Sequence, residues 1–594
     1  MALPPRMAYE GLSRKLVLAI DVGTTFSGVS YSILDPGQIP EIRGVNRYPG
    51  QENVGGDLKI PTILWYDQQG VVKAAGAEAI REGIEIQAEE EQWIKSEWFK
   101  VYFHPRETLI PAEDLQKIPP LPLGKPLPEV FADFLRYIVE CTKTYIRETH
   151  ASGKSLWDSF ADDIDYVLTH PNGYEGPQQR FMREAAVLAG LVPDMDAAET
   201  RVQLVTEGEA SLHYCIQSGL TADALKDGNG VMIVDAGGGT IDISSYSQNG
   251  DSFEEIAVSQ CIYNGSVFVT NRARTFFEEL LADSRFSEDV GLITERFDKK
   301  TKPGFRNDED DCWIQFTAVR EKDLKLGIRS GQLKVSGLDV ASFFEPSVSD
   351  IVVSINEQVF SSQTQITAVF LVGGFAASDW LFSQVKERLD IMGIEATRPD
   401  SHLNKAVAHG AVSYYVDHRV TTRVAKYTFG VPCGIPYNDE NEEHIKRSSL
   451  KYQSASGAWY IPGAFDVILP RGTQVAETRE FRRAFGKSRK EINALQTMST
   501  SIMCYRGEID SPEWIDVEPG MFTCMCSIKA DLMDLTKTLK PRTITGKNGQ
   551  EELYYTINFE IALLFGLTEF KANVIWQENV SSESLRFKAL YTSS

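Results

Sequence analysis

The chain has 594 residues, 42% hydrophobic and 24% charged, which is ample for several large cores and fits a globular class of three or four structural units. Its 60 basic and 83 acidic residues leave a formal charge of −23, which disfavours nucleic acid or an anionic membrane as partner, and no basic stripe offsets it. No apolar run reaches the roughly 18 residues of a membrane span, and the earliest, Leu16 to Ile20, stops at Asp21 and is too short for a secretory signal. A cytoplasmic location is expected, with the nucleus as a second possibility.

Residues 1–14 show no periodicity and are expected to be a disordered tail. The first predicted strand is Leu16-Val17-Leu18-Ala19-Ile20-Asp21, followed by Val22-Gly23-Thr24-Thr25-Phe26. Glycine lets a backbone turn approach an anion closely, and the threonine hydroxyls add donors, so the turn suits phosphate. Asp21 is a hard oxygen acceptor placed to hold Mg²⁺ through its water shell. The proline-rich stretch 119–128 reads as an extended connector, because proline fixes φ and removes donors, and it leads into a helix from about Glu129 to Thr149. Val130, Phe131, Phe134, Leu135, Ile138 and Tyr145 keep helical spacing there and form a predicted core face.

The same device returns at Val231-Met232-Ile233-Val234-Asp235, followed by Ala236-Gly237-Gly238-Gly239-Thr240. One Asp-x-Gly-Thr is a common tight turn. Two copies in register point to a phosphate site between two related lobes, with Asp235 the second metal-organising carboxylate. A third apolar strand, Ala368 to Val372, ends in Gly373-Gly374-Phe375 before a helical pattern at Trp380, Leu381, Val385 and Leu389, which suits close backbone contact with a nucleoside. Beyond Tyr415 the pattern changes to short strands and turns, a β-rich domain expected over 427–578. The eight cysteines, at 141, 215, 261, 312, 433, 504, 524 and 526, show no ligand spacing and read as reduced core residues; Cys524-Met525-Cys526 puts two thiols on one strand face without the gap of a zinc knuckle. His170, His213 and His409 likewise read as packing residues.

The three glycine turns, in this order, resemble the phosphate, second phosphate and adenosine motifs of the heat shock protein 70 family. Asp165 to Pro171, Gln178-Gln179-Arg180 and Glu184 to Leu191 resemble its first connecting region, Leu204 to Ala210 the entry to one crossing helix, and Ala406 to Ala411 the other. The resemblance implies an actin-like ATPase fold of two duplicated α/β lobes, 15–212 completed by 403–417 and 213–402, followed by a linker at 418–426, the smaller β-rich domain and a tail at 579–594. It implies ATP or ADP with Mg²⁺ as cofactors, phosphate contacts from Gly23, Thr24, Thr25, Phe26 and Gly237 to Thr240, and adenosine contacts from Gly373, Gly374 and Phe375. Asp21 and Asp235 would organise the metal through water, Glu207 would order its waters, Thr240 would lie near the attacking water, and Lys100 in Trp98-Phe99-Lys100 would be the catalytic lysine.

Three positions depart from the family pattern. Phe375-Ala376-Ala377-Ser378 stands where the family has an arginine after the glycine pair, Lys302 is the nearest match in a looser adenosine helix, and Asn404 replaces an aspartate before the second crossing helix. Tyr427 to Val431, Val467 to Thr473, Cys504 to Glu508 and Ile557 to Ile561 resemble successive strands of the family's peptide-binding β-sandwich. The chain ends at Ser594, so the helical lid is expected to be missing, as in a divergent lidless eukaryotic branch. The expected function is slow, Mg-dependent ATP hydrolysis coupled to a protein or peptide client, with cochaperones as further partners. Two other readings stay open: a nucleotide-sensing scaffold without useful turnover, and a small-molecule kinase of the same superfold.

Overall fold

The computed structural model describes residues 5–54, 58–104, 115–122, 124–160, 164–219, 224–225, 228–399, 406–545, 550–566, 569–576 and 585–588. The chain divides into two compact units, Met1–Val420 and Thr421–Ser594.

Within the first unit the sequence duplication becomes a structural one. Lys15–Val22 pairs antiparallel with Phe26–Leu34 on one side and parallel with Ile164–His170 on the other. Gly230–Ala236 repeats this plan, antiparallel with Ile241–Asn249 and parallel with Ile366–Val372. The first sheet runs Arg43–Gly44, Phe26–Leu34, Lys15–Val22, Ile164–His170, Val202–Thr206. In the second, Glu395–Thr397 flanks Ile366–Val372, while Ser252–Glu255 and Gln260–Ile262 pair with Ile241–Asn249. Central strands covered on both faces are mostly apolar, and Gly230–Ala236 and Ile164–His170 are buried along their whole lengths, Asp235 and Asp165 included.

Strand alternation then aims the carboxylates. Leu16, Leu18, Ile20 and Val22 share a core with Val130, Phe131, Phe134, Leu135 and Ile138 of the helix Leu127–Thr149, so Asp21 points to the opposite face with Val17 and Ala19. Tyr145, read as part of that core face, is only partly buried against it. In the second lobe Met232, Val234 and Ala236 face the helical core, whereas Val231 and Ile233, the parity of Asp235, pack with Leu212 and Cys215 of the helix Glu207–Gln217. That helix is crossed by Ala406–Asp417 at a contact so close that a Cβ on Gly410 would collide with the Ala210 carbonyl. Part of the segment expected to be disordered is tied down here: the Arg6 guanidinium grips Asp417 through bonds of 2.8 and 2.7 Å, and Tyr9 N donates to Gln38 O at 2.8 Å.

The second unit is a two-sheet β structure. One sheet runs Tyr452–Gln453, Trp459–Leu469, Thr428–Pro436, Thr497–Tyr505, Phe522–Asp531; the other runs Glu480–Arg489, Glu551–Gly566, Glu569–Trp576, Leu585–Lys588. Phe429, Leu469, Ile502 and Ile528 of the first share one core with Ile557, Ile561, Leu563 and Val574 of the second, the arrangement of a sandwich. All eight cysteines, every one among the described residues, are thiols outside any disulfide. Among the described residues no helix is long and apolar enough to cross a membrane.

Candidate functional site

The second glycine turn is held from behind by a helix. Its carbonyls accept from the start of Ser266–Leu281: Ser266 N to Gly237 O at 3.1 Å, Val267 N to Gly238 O at 2.9 Å, Gly265 N to Gly239 O at 3.2 Å. In a trans peptide the C=O and N–H are antiparallel, so the N–H groups of Gly238, Gly239 and Thr240 point away from that helix. The first turn lies close by on another side of these glycines. A Cβ on Gly238 would sit 2.5 Å from Thr25 Oγ1, and one on Gly239 would sit 2.5 Å from Thr24 Oγ1. Two turns about two hundred residues apart in the chain thus meet glycine against threonine, and the glycines are required because any side chain would fill the gap between them.

The strand ends that lead into the turns carry a buried charge cluster. Asp21 Oδ2 accepts from Lys59 Nζ at 2.6 Å and Oδ1 from Thr169 Oγ1 at 3.0 Å. Burial works to raise the Asp21 carboxyl, but the Lys59 and Lys100 charges and the bonds from Lys59 and Thr169 outweigh it and hold the group below its ordinary value. Lys100, which the resemblance makes the catalytic lysine, is only 4% exposed and bonds Glu207 Oε1 at 2.5 Å. Burial opposes its charge, yet Glu207 and Asp21 prevail and raise its pKa, so the ammonium persists. Glu207, at the first position of its helix, is pushed up by burial and by Asp21 against the pull of Lys100.

Asp235 has a different environment. Its Oδ2 accepts from Ser211 Oγ at 2.9 Å, and burial, then Glu207, Asp242 and Asp21, drive its carboxyl well above the ordinary range. Asp242 is its partner across the strand pair and is fully buried. Burial first and Glu207 second push Asp242 up to about 7, although Asn172 N donates to its Oδ1 at 2.5 Å. Four carboxylates therefore share this site with two ammonium groups, and both ammonium groups stand on the side of Asp21 and Glu207.

The nucleoside side is more altered. Gly373 adopts φ +87°, and a Cβ there would collide with Asp235 Oδ1 and the Ala236 carbonyl, so the third glycine turn closes directly on the second carboxylate. Phe375, nominated for the nucleotide, instead packs into the lobe core, 4% exposed and stacked on Phe344 with centroids 6.0 Å apart. A guanidinium reaches this loop from Arg398, which donates to Ala376 O at 3.3 Å and to Asp379 Oδ1 at 2.6 Å. Lys302 follows a π-helical turn over Phe297–Thr301, and its ammonium is engaged by Ser266 O at 3.1 Å, Thr270 Oγ1 at 2.9 Å and Asp298. It lies behind the second phosphate turn, because Ser266 is the residue that donates to Gly237. Phe26 is 40% exposed at the start of its strand. Asn404 lies outside the described residues.

Thus Asp21, Lys100, Glu207, Asp235, Thr24, Thr25, Gly238, Gly239 and Gly373 converge, whereas Phe375 turns into the core. Lys59, Thr169, Asn172, Ser211, Asp242 and Arg398 were missed. Asp242 carried a signal, a charged residue between Ile241 and Ile243 in an apolar strand. Lys59 carried none, since it precedes its short strand in a segment without periodicity.

No protein-family model matches the chain. It is similar to Heat shock 70 kDa protein 12B of Homo sapiens, 25% identical over 574 residues that span 82% of this chain and 80% of that protein. It is also similar to Heat shock 70 kDa protein 12A of Homo sapiens, 21% identical over 658 residues spanning 95% and 90% of the two chains. The mouse 12A protein is 30% identical over 207 residues, 34% of this chain and 28% of that one. The chain is therefore a divergent homologue of heat shock protein 70 relatives over most of its length, with two actin-like α/β lobes followed by a β-rich region.

Proposed function

We propose that this divergent heat-shock-70-like chain binds ATP and ADP between the lobes of its first unit, hydrolyses ATP slowly, and uses the bound state to govern a protein or peptide contact made by its β-sandwich. The observation that carries the reading is the contact of the Thr24-Thr25 turn with Gly238-Gly239 above a buried cluster of Asp21, Lys100, Glu207 and Asp235. The N–H groups of Gly238 to Thr240 and the two threonine hydroxyls would take phosphate oxygens. Lys100, kept charged by Glu207, would offset the charge that builds on the transferred phosphoryl group. Hydrolysis would be in-line attack by a positioned water, with Thr240 beside it and no strong base required.

The residues also suit Mg²⁺ on the Asp235 side: its carboxylate is opposed by burial and by neighbouring carboxylates, an environment that a hard divalent cation would relieve. Bound there through water, the cation would screen the phosphate charge. A second reading, a nucleotide sensor without useful turnover, is favoured by Asp21, whose two oxygens are already held by Lys59 and Thr169. Single-turnover hydrolysis of radiolabelled ATP by wild type and Asp235→Asn, with bound nucleotide quantified in the same samples, decides between them. Product in wild type and at least about a hundredfold less in the variant supports the ATPase. Retained ATP without product in either supports the sensor.

A further inference from the structure

Lys59 places a protein cation on the carboxylate that the motif assigns to a metal. The pair is enclosed, with side-chain exposures of 12% for Lys59 and 4% for Asp21. It is also built for: the lysine stem runs over Gly28, the cross-strand partner of Asp21, and a Cβ on that glycine would press within 3.1 Å of Lys59 Cγ. The segment that carries Lys59 is fastened beside the first phosphate turn, since Phe26 pairs with Pro61, Ser27 with Ile60, and Thr62 N donates to Thr25 O at 2.9 Å. With Thr169 on Oδ1, both Asp21 oxygens have donors, whereas Asp235 has the Ser211 hydroxyl and no ammonium group bonded to it among the described contacts. The cluster is asymmetric: one carboxylate is neutralised by the chain itself and the other is not.

We propose that Lys59 is the resident counter-charge of Asp21, replacing a water-shelled divalent cation at that carboxylate, and that its ammonium also receives the polyphosphate of ADP or ATP, so that nucleotide is retained without divalent metal. The inference rests on the nucleotide reading of the cleft. An ammonium on a four-carbon stem is a mobile point charge that can share itself between a carboxylate and a phosphate oxygen. Because it is covalently tethered, chelators cannot remove it. Any cation on the Asp235 side then serves turnover, and the hold on the nucleotide does not depend on it.

The test is calorimetric titration of the full chain with ADP in excess Mg²⁺ and in excess EDTA, for wild type, Lys59→Met and Lys59→Arg. The wild-type dissociation constants are expected to differ by less than about threefold, and Lys59→Met to weaken binding in EDTA by about tenfold or more while Lys59→Arg behaves as wild type. Loss of wild-type affinity by about tenfold or more in EDTA overturns the proposal, as does a Lys59→Met protein whose affinity in EDTA equals that of wild type. The wild-type comparison decides even if Lys59→Met leaves Asp21 unpaired and fails to fold. Failure to bind ADP under either condition removes the nucleotide reading itself, whereas binding that requires metal removes only the role of Lys59.

Discussion

Gly373 and His170 show how far single residues near the cleft are constrained. At φ +87° Gly373 occupies the left-handed region, and a Cβ would meet Asp235 and Ala236 at once. Gly373→Ala is expected to cost roughly 2–4 kcal/mol from strain and overlap together, read as a lowered denaturant midpoint at unchanged slope. An unchanged midpoint would mean that the turn relaxes freely. His170 is buried, stacks on Tyr174 at 5.9 Å, and has its pKa lowered to about 4, chiefly by burial and with Lys100 contributing. Its folded pKa lies below its unfolded one, so the folded state holds fewer protons in between, and stability present above the unfolded value is lost as pH falls through 6.5 towards 4. The loss is at most on the order of 3 kcal/mol. Thermal midpoints measured across that range should fall more steeply for wild type than for His170→Phe, which keeps an aromatic ring against Tyr174 but cannot titrate; equal slopes would assign the acid sensitivity elsewhere.

Among the elements, the crossing helices Glu207–Gln217 and Ala406–Asp417 matter most, because Glu207 and Ser211 of the first reach the charge cluster. Their approach depends on Gly410. Replacing a helical glycine by alanine normally gains up to about 1 kcal/mol of helix propensity. At Gly410 overlap with the Ala210 carbonyl should reverse the sign and cost roughly 2–4 kcal/mol. Gly291, in Val290–Arg296, is the control, since no atom lies within 4 Å of its would-be Cβ. Urea unfolding should show Gly291→Ala neutral or stabilised and Gly410→Ala destabilised; the same sign at both sites would refute the tight crossing.

At the scale of the whole molecule, each unit has its own core, Met1–Val420 around two lobe cores and Thr421–Ser594 around the sandwich. Scanning calorimetry of the full chain is expected to resolve two transitions. Ile502→Ala, which empties a fully buried site between the two sheets, should lower one of them by the equivalent of about 2–5 kcal/mol and leave the other in place. A joint shift would show that the units unfold as one.

Local and periodic rules account for the features legible along the chain: the apolar strands ending in Asp21 and Asp235, the glycine turns after them, the helix of Val130 to Ile138, and the change to short strands past Tyr415. These are legible because strand burial and turn conformation act on neighbours in the chain. The remaining features arise from contacts through space. Lys100 is a buried ion-pair member because Glu207, distant in sequence, lies against it; Phe375 joins the core because Phe344 offers a ring; and Lys59 reaches Asp21 because Gly28 leaves room for its stem. Charge pairing and close packing act through space between residues far apart in sequence, so no pattern along the chain announces them.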